Sequence, residues 1–330
     1  MNQSFNNYEL ILVDDGSPDR CPEICDEYAR SNDKIKVIHK ENGGLPDARN
    51  AGLRIASGKY VLFLDSDDYL NTESLKKLND CIESVGEVDV LFCSMMVYHE
   101  NESLFYKHHK GYPEQFRKNV SGTKMLVELI NATQTLLWSA SGSLFNREKL
   151  INNSIFFDKT FTGAEDLDFF MRVVMNSNKF AAENIDICVY RIGRKGSITT
   201  DLNKKAYYVQ LFVMKKWFDY FYSLNIDDSD KHILCSFFSS RYIQKIFELT
   251  RFEKTEKKEL IQFIKSNNYL LDYPTYTKCR ILGKTYKFFG PDFGTKIQKL
   301  YHKLISNRFG PEVAIKIQNA YDKFFSNKKA

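Results

Sequence analysis

The sequence predicts an α/β fold: a mostly parallel sheet flanked by helices, followed by a helical C-terminal region. Short apolar runs at residues 8–13 (YELILV), 60–64 (YVLFL) and 89–95 (DVLFCSM) have the length and composition of strands buried on both faces. Helix-period stretches separate them at the spacing of βαβ units. Beyond about Asp201 the strand signal stops and helical, aromatic-rich segments take over.

Taken in order, residues 8–13 form a strand that ends in Asp14-Asp15-Gly16-Ser17, and Pro18 or Asp19 opens a helix running to Ser31. Residues 35–39 (IKVIH) make a short strand, and Asn42-Gly43-Gly44 a turn. A helix over 46–57 follows, stopped by Gly58. The central strand, 60–64, runs straight into Asp65-Ser66-Asp67-Asp68. A helix over 72–85 precedes the strand at 89–95, and residues 96–120 blur into hairpin or loops. Further helices are expected at 121–131 and 165–176 and strands at 142–145 and 185–191; no internal repeat is evident. Breaks at 225–230, 267–274, 290–291 and 310–311 divide the C-terminal helices. The chain therefore reads as an α/β domain over 1–200 and a helical, basic region over 201–330.

The composition, 43% hydrophobic and 27% charged, is that of a globular chain able to bury a sizeable core. Seven scattered cysteines without a CxxC pair fit a reducing cytosol rather than a disulfide framework or a structural zinc site. No apolar run approaches a membrane span, and no signal peptide is visible. The net charge of +5 is unevenly placed: residues 276–330 hold 12 Lys/Arg against 3 Asp/Glu, while the rest holds 35 against 39. Amphipathic stretches at 295–306 and 312–325 could lie on an anionic membrane surface or simply cover a core. No recognisable nucleic-acid-binding module accompanies the charge.

Three carboxylates within four residues, 65–68, repel one another unless a cation or strong donors hold them. A turn with one helix cap needs only one of them. Carboxylate oxygens are the ligands that Mg²⁺ or Mn²⁺ selects, commonly shared with substrate phosphates. Two acidic strand ends, at 14–15 and 65–68, face the same edge of a parallel sheet, where α/β folds place ligands. Arg49, near a helix start, can meet phosphate oxygens or one of these carboxylates. Far downstream, Glu165-Asp166 opens a helix whose dipole favours ionised acids; capping is the plainer role.

ELILVDDGSPD, ENGGLPDARNAG, GKYVLFLDSDDYL and GAEDLDFFMRV, in that order, resemble the family 2 glycosyltransferases of GT-A fold over roughly residues 1–200. The resemblance implies inverting transfer of a sugar from a nucleotide diphosphate donor, a UDP-sugar, to a glycan or lipid-linked acceptor hydroxyl in surface polysaccharide synthesis. It implies Asp15 as the base-edge contact, Asp65 and Arg49 with it around the donor, Asp67 with Asp65 as the Mn²⁺ or Mg²⁺ ligands, and Asp166 as the general base. It also implies an N-terminally incomplete domain, since residues 1–5 resemble the tail of the family's first helix. A metal-binding histidine of some relatives is missing after the last strand, where Arg191, Arg194 and Lys195 stand instead. The expected location is cytoplasmic, with the tail able to reach the inner face of the cell membrane. A truncated scaffold docking by that tail, or a sugar nucleotidyltransferase, is the alternative.

Overall fold

Apolar residues of β1 (Leu10–Asp14) lie parallel to β2 (Ile35–His39), in a register running from Leu10 opposite Ile35 to Asp14 opposite His39. The parallel pairing needs a crossover, and α1 (Cys21–Ser31) supplies it, with a proline in its first turn. The computed structural model describes residues 3–108, 111–113, 116–193, 203–274 and 277–296. The chain divides into two compact units, Met1–Leu202 and Asn203–Ala330.

In the first unit, α2 (Leu45–Ile55) packs on β1, where Gly52 lets the helix approach the Val13 and Ile11 side chains. Glu9 then ties the end of this helix segment to the strand. It accepts from the Ser57 and Gly58 N–H groups at 2.6 and 2.9 Å, and against its burial these bonds and Lys36 hold it down at about 2.

A second sheet has the strand order β3 (Tyr60–Val61), β8 (Ser143–Asn146), β5 (Val90–His99), β9 (Lys179–Ile192), β4 (Tyr69–Leu70). The short strand β6 (Leu104–Lys107) adds to β5, and β7 (Phe116–Asn119) to β9. Helices α3 (Ser74–Val85), α4 (Gly122–Thr133), α5 (Arg147–Asn152) and α6 (Glu165–Met175) connect these strands. The α/β class holds, but the sheet is mixed rather than mostly parallel. Among the described residues β1–β2 and β5–β9 are the parallel pairs, and the five other pairings are antiparallel. Parallel neighbours require a long crossover, whereas β6 returns on β5 through the four residues 100–103. The blurred stretch at 96–120 is this hairpin together with β7. The expected strand at 60–64 is paired only at Tyr60 and Val61; beyond them Phe63 is buried and Leu64 is exposed. Phe63 anchors there by edge-on contacts with Phe157 and Phe169, so packing rather than a ladder carries the chain to Asp65.

The second unit is helical. It comprises α7 (Lys204–Ser223), α8 (Asp228–Ile246), α9 (Lys254–Ser266) and α10 (Thr277–Phe289). Asn203 and Asp227 cap the first two, and Glu253 with Glu256 forms a capping box on the third. Tyr207, Phe218, Phe221, Phe238 and Tyr242 fill the core, which accounts for the aromatic bias of this half. The amphipathic stretch expected at 295–306 lies almost wholly, and that at 312–325 entirely, outside the described residues.

Where α4 meets α6, a Cβ on Gly122 would overlap the Val174 carbonyl oxygen. Gly122→Ala is expected to destabilise the first unit by about 1–3 kcal/mol through overpacking, read as a lowered urea midpoint with an unchanged m-value.

Candidate active site

Arg49 projects from the second turn of α2 and is only 8% exposed. Its Nη2 donates to Asp65 Oδ1 at 2.6 Å and its Nη1 donates to Asp166 Oδ1. One guanidinium thus joins the end of the Tyr60–Leu64 segment to the start of α6, reaching a carboxylate 117 residues from Arg49 itself. Its plane is set from below: the guanidinium carbon lies 5.1 Å from the centroid of the Phe157 ring, which stacks on Phe169 at 3.9 Å. Phe157 is held in turn by Asn50, which is 2% exposed and exchanges two 2.8 Å hydrogen bonds with the Phe157 backbone. Successive residues of α2 therefore position the cation and the ring beneath it.

Asp166 sits in the first turn of α6, where the helix dipole favours an anion. Its second oxygen accepts from the Ala140 N–H at 3.4 Å. Burial raises the carboxyl above its ordinary range while the Arg49 charge opposes the rise. Arg49 stays firmly protonated, the Asp166 and Asp65 charges outweighing its own burial. Glu165 turns back onto the Gly163 N–H at 2.7 Å, and burial with the Asp166 charge raises it.

At the start of the same helix α2, Asp15 is held by the glycine turn: it accepts from the Gly43 and Gly44 N–H groups at 3.0 and 2.7 Å and from Lys40 at 2.5 Å. Gly44, with φ +82°, adopts the left-handed region that aims these donors. Lys40 also pairs with Asp47 at 2.7 Å; Lys159 joins it, and the two lysines hold Asp47 at about 2. Asp15 and Arg49 are thereby fixed near one end of one helix, with Gly44 and Arg49 about 7.5 Å apart along its axis. Asp14 faces elsewhere, accepting from the Ser17 N–H at 2.9 Å and meeting His39 at 3.1 Å. His39, raised by Asp14 and then Asp26, was not singled out from the sequence; the register partner of Asp14 is the signal that would have found it.

The acidic turn closes with the Asp68 N–H donating to the Asp65 carbonyl at 3.0 Å. Asp68 Oδ1 accepts from the Arg191 N–H at 2.9 Å, and Oδ2 is buried without a hydrogen-bond partner. Burial, with the Asp65 and Asp67 charges behind it, pushes Asp68 up to about 6. The Arg191 guanidinium pairs with Glu100 at 2.5 Å; Arg194 and Lys195 lie outside the described residues. Among the described residues no three metal-ligating side chains converge closely enough to cage an ion. The hard oxygens of Asp65 and Asp67 still suit an ion that keeps most of its shell from water and phosphate.

Fold and site together define an α/β protein with an acidic rim, its carboxylates drawn from distant strand and helix ends. The model of "Glycosyl transferase family 2" matches residues 1–150 of this chain. It is 30% identical over 194 residues to the "Uncharacterized glycosyltransferase EpsJ" of Bacillus subtilis, covering 58% of this chain and 54% of that one. It is 34% identical over 201 residues to "Glycosyltransferase GlyA" of Streptococcus pneumoniae, covering 60% of this chain and 28% of that one. The chain thus spans about half, or less, of the length of these relatives. A solved structure of Staphylococcus aureus TarS, residues 1–349 in complex with UDP-GlcNAc, superposes with a TM-score of 0.62 at 21% identity, over 92% of this chain and 85% of that one. The two share the α/β fold expected from the sequence.

Two outcomes follow from this geometry. Arg49→Ala leaves two partly buried carboxylates facing each other, and is expected to cost about 3 kcal/mol in urea unfolding, the low end for a broken buried pair because both keep some water contact. The Asp68 carboxyl binds its proton more tightly folded than unfolded, so its contribution to stability is present at low pH and is lost as pH rises from about 4 through about 6. Asp68→Asn should flatten the stability–pH curve in that window and raise the neutral-pH urea midpoint, measured without added divalent ions.

Proposed function

We propose that the first unit is an inverting glycosyltransferase that moves a sugar from a UDP-sugar to a hydroxyl of a glycan or lipid-linked acceptor in surface polysaccharide synthesis. The observation that carries this reading is the gathering of Asp65 and Asp166 on one buried arginine, beside the glycine turn that holds Asp15. The match of the glycosyltransferase family 2 model over residues 1–150 supports the reaction class. The names of relatives support the pathway: TarS of S. aureus, 30% identical over 191 residues, is a poly(ribitol-phosphate) β-N-acetylglucosaminyltransferase.

In this reading Asp166 is the general base. Its proton affinity is raised by burial while Arg49 opposes the rise, the direction a general base requires, and it can accept from an acceptor hydroxyl beyond its present two bonds. Asp15 retains an acceptor position for a base-edge N–H after its three internal bonds. Arg49 uses two of its five donors on carboxylates, so its part in donor binding is to order Asp65 beside the phosphates. Asp67 and Asp65 are the residues that would hold Mg²⁺ or Mn²⁺, and such an ion, when bound, neutralises charge on the departing diphosphate. The second unit supplies the contact with an anionic membrane surface from a cytoplasmic location. Among the described residues no helix is long and apolar enough to cross a membrane, while Phe288, Phe289 and Phe293 are exposed beside Lys284, Lys287 and Lys296.

Asp166→Asn should retain UDP-sugar binding and lose transfer by about 10²–10⁴-fold in kcat, measured over a panel of nucleotide sugars with Mn²⁺ or Mg²⁺. Transfer at the normal rate would remove Asp166 from the role.

A further inference from the structure

The β5–β6 hairpin is an apolar extension of the sheet that the proposed chemistry does not use. In β6, Leu104, Phe105 and Tyr106 are 50%, 51% and 43% exposed, and among the described residues the strand pairs with β5 alone. An open edge carrying three large apolar side chains invites association unless something covers it. Its register locates that surface. Phe105 stands opposite Tyr98 and stacks on it at 4.5 Å, and Tyr98 stands opposite Arg191 of β9. Side chains directly opposite share a face, so Phe105, Tyr98 and Arg191 form one row across three strands. The row ends at the acidic turn, for the Arg191 N–H bonds to Asp68 and the Asp67 charge acts on Arg191. At about 4.8 Å per strand, Phe105 lies about 15 Å from that turn.

We infer that this row is an extended subsite for a glycan chain, holding the acceptor several sugars away from the reacting hydroxyl. The inference rests on the glycosyltransferase reading above. The C–H face of a pyranose ring stacks on the electron-rich face of an aromatic ring. The Tyr98 hydroxyl and the Glu100–Arg191 pair border the rings with donors and acceptors for sugar hydroxyls. A polyhydroxylated chain matches that mixture of apolar faces and polar rim; a lipid surface would leave the ion pair desolvated.

The test compares the wild type with Phe105→Ser and, because a polar residue at the stacked position can disturb folding, with Phe105→Leu, which keeps an apolar side chain on the same face as Tyr98 and removes only the ring. Chitohexaose, cellohexaose and maltohexaose, each beside its disaccharide, serve as probes in saturation-transfer NMR and calorimetry. At least one hexasaccharide is expected to bind about tenfold more tightly than its disaccharide, a margin that both variants abolish while UDP affinity stays unchanged. No length dependence in the wild type, or length dependence kept by the variants, overturns the inference. So does a change from dimer to monomer in sedimentation, or loss of binding to anionic vesicles, on substituting the hairpin. Donor hydrolysis separates this result from the parent reading. Length-dependent glycan binding without hydrolysis removes the transferase and keeps the subsite; hydrolysis without length dependence does the reverse.

Discussion

The buried Arg49 cation is the constraint on which the site depends. A guanidinium removed from water must be paired, and here two carboxylates pair it, Asp65 on Nη2 and Asp166 on Nη1. Each carboxylate is itself costly to bury, so neither the end of the Tyr60–Leu64 segment nor the start of α6 can relax away without stranding a charge. Arg49 in turn cannot rotate, because the Phe157 ring lies under it and Asn50 fixes the backbone of that ring. The arrangement is rigid because every charged member is held by another or by packing, the condition for a preorganised site.

The same electrostatics explain why the carboxylates of this region are not equivalent. Asp47 lies between two lysines and stays ionised far below neutral pH. Asp68, with a buried oxygen lacking a partner and two acidic neighbours, binds its proton near pH 6. Asp166 is raised above its ordinary range by burial, with the Arg49 charge opposing the rise. Environments that drive like groups apart are how one fold supplies both permanent anions and proton acceptors.

The mixed sheet serves this division. Parallel strands β5 and β9 run side by side past the point where β8 leaves β5, and the hairpin extends them beyond the acidic turn. One continuous face therefore carries both the turn that meets the diphosphate in the proposed reaction and the aromatic row beside it. Building this surface on strands fixes its distance from the turn, which a loop of similar composition would not do.

The sequence by itself determined the class of fold, the order of its elements and the identity of the acidic clusters. Apolar runs followed by Asp14-Asp15 and Asp65 to Asp68 are local patterns, and local patterns survive whatever the chain does next. Arg49 was legible as a phosphate ligand or an ion pair, but not which; only folding brings Asp65 and Asp166 to its two nitrogens. Lys40, Asp47, Lys159 and His39 escaped notice because each is an ordinary surface residue until its partner arrives from another element. The strand at 60–64 was shortened, and the sheet made mixed, by pairings that depend on which neighbours reach each edge. Hydrophobic period and turn chemistry are written residue by residue, whereas ion pairs, strand partners and raised carboxyls arise from distances between residues far apart in sequence, and only the tertiary structure sets those.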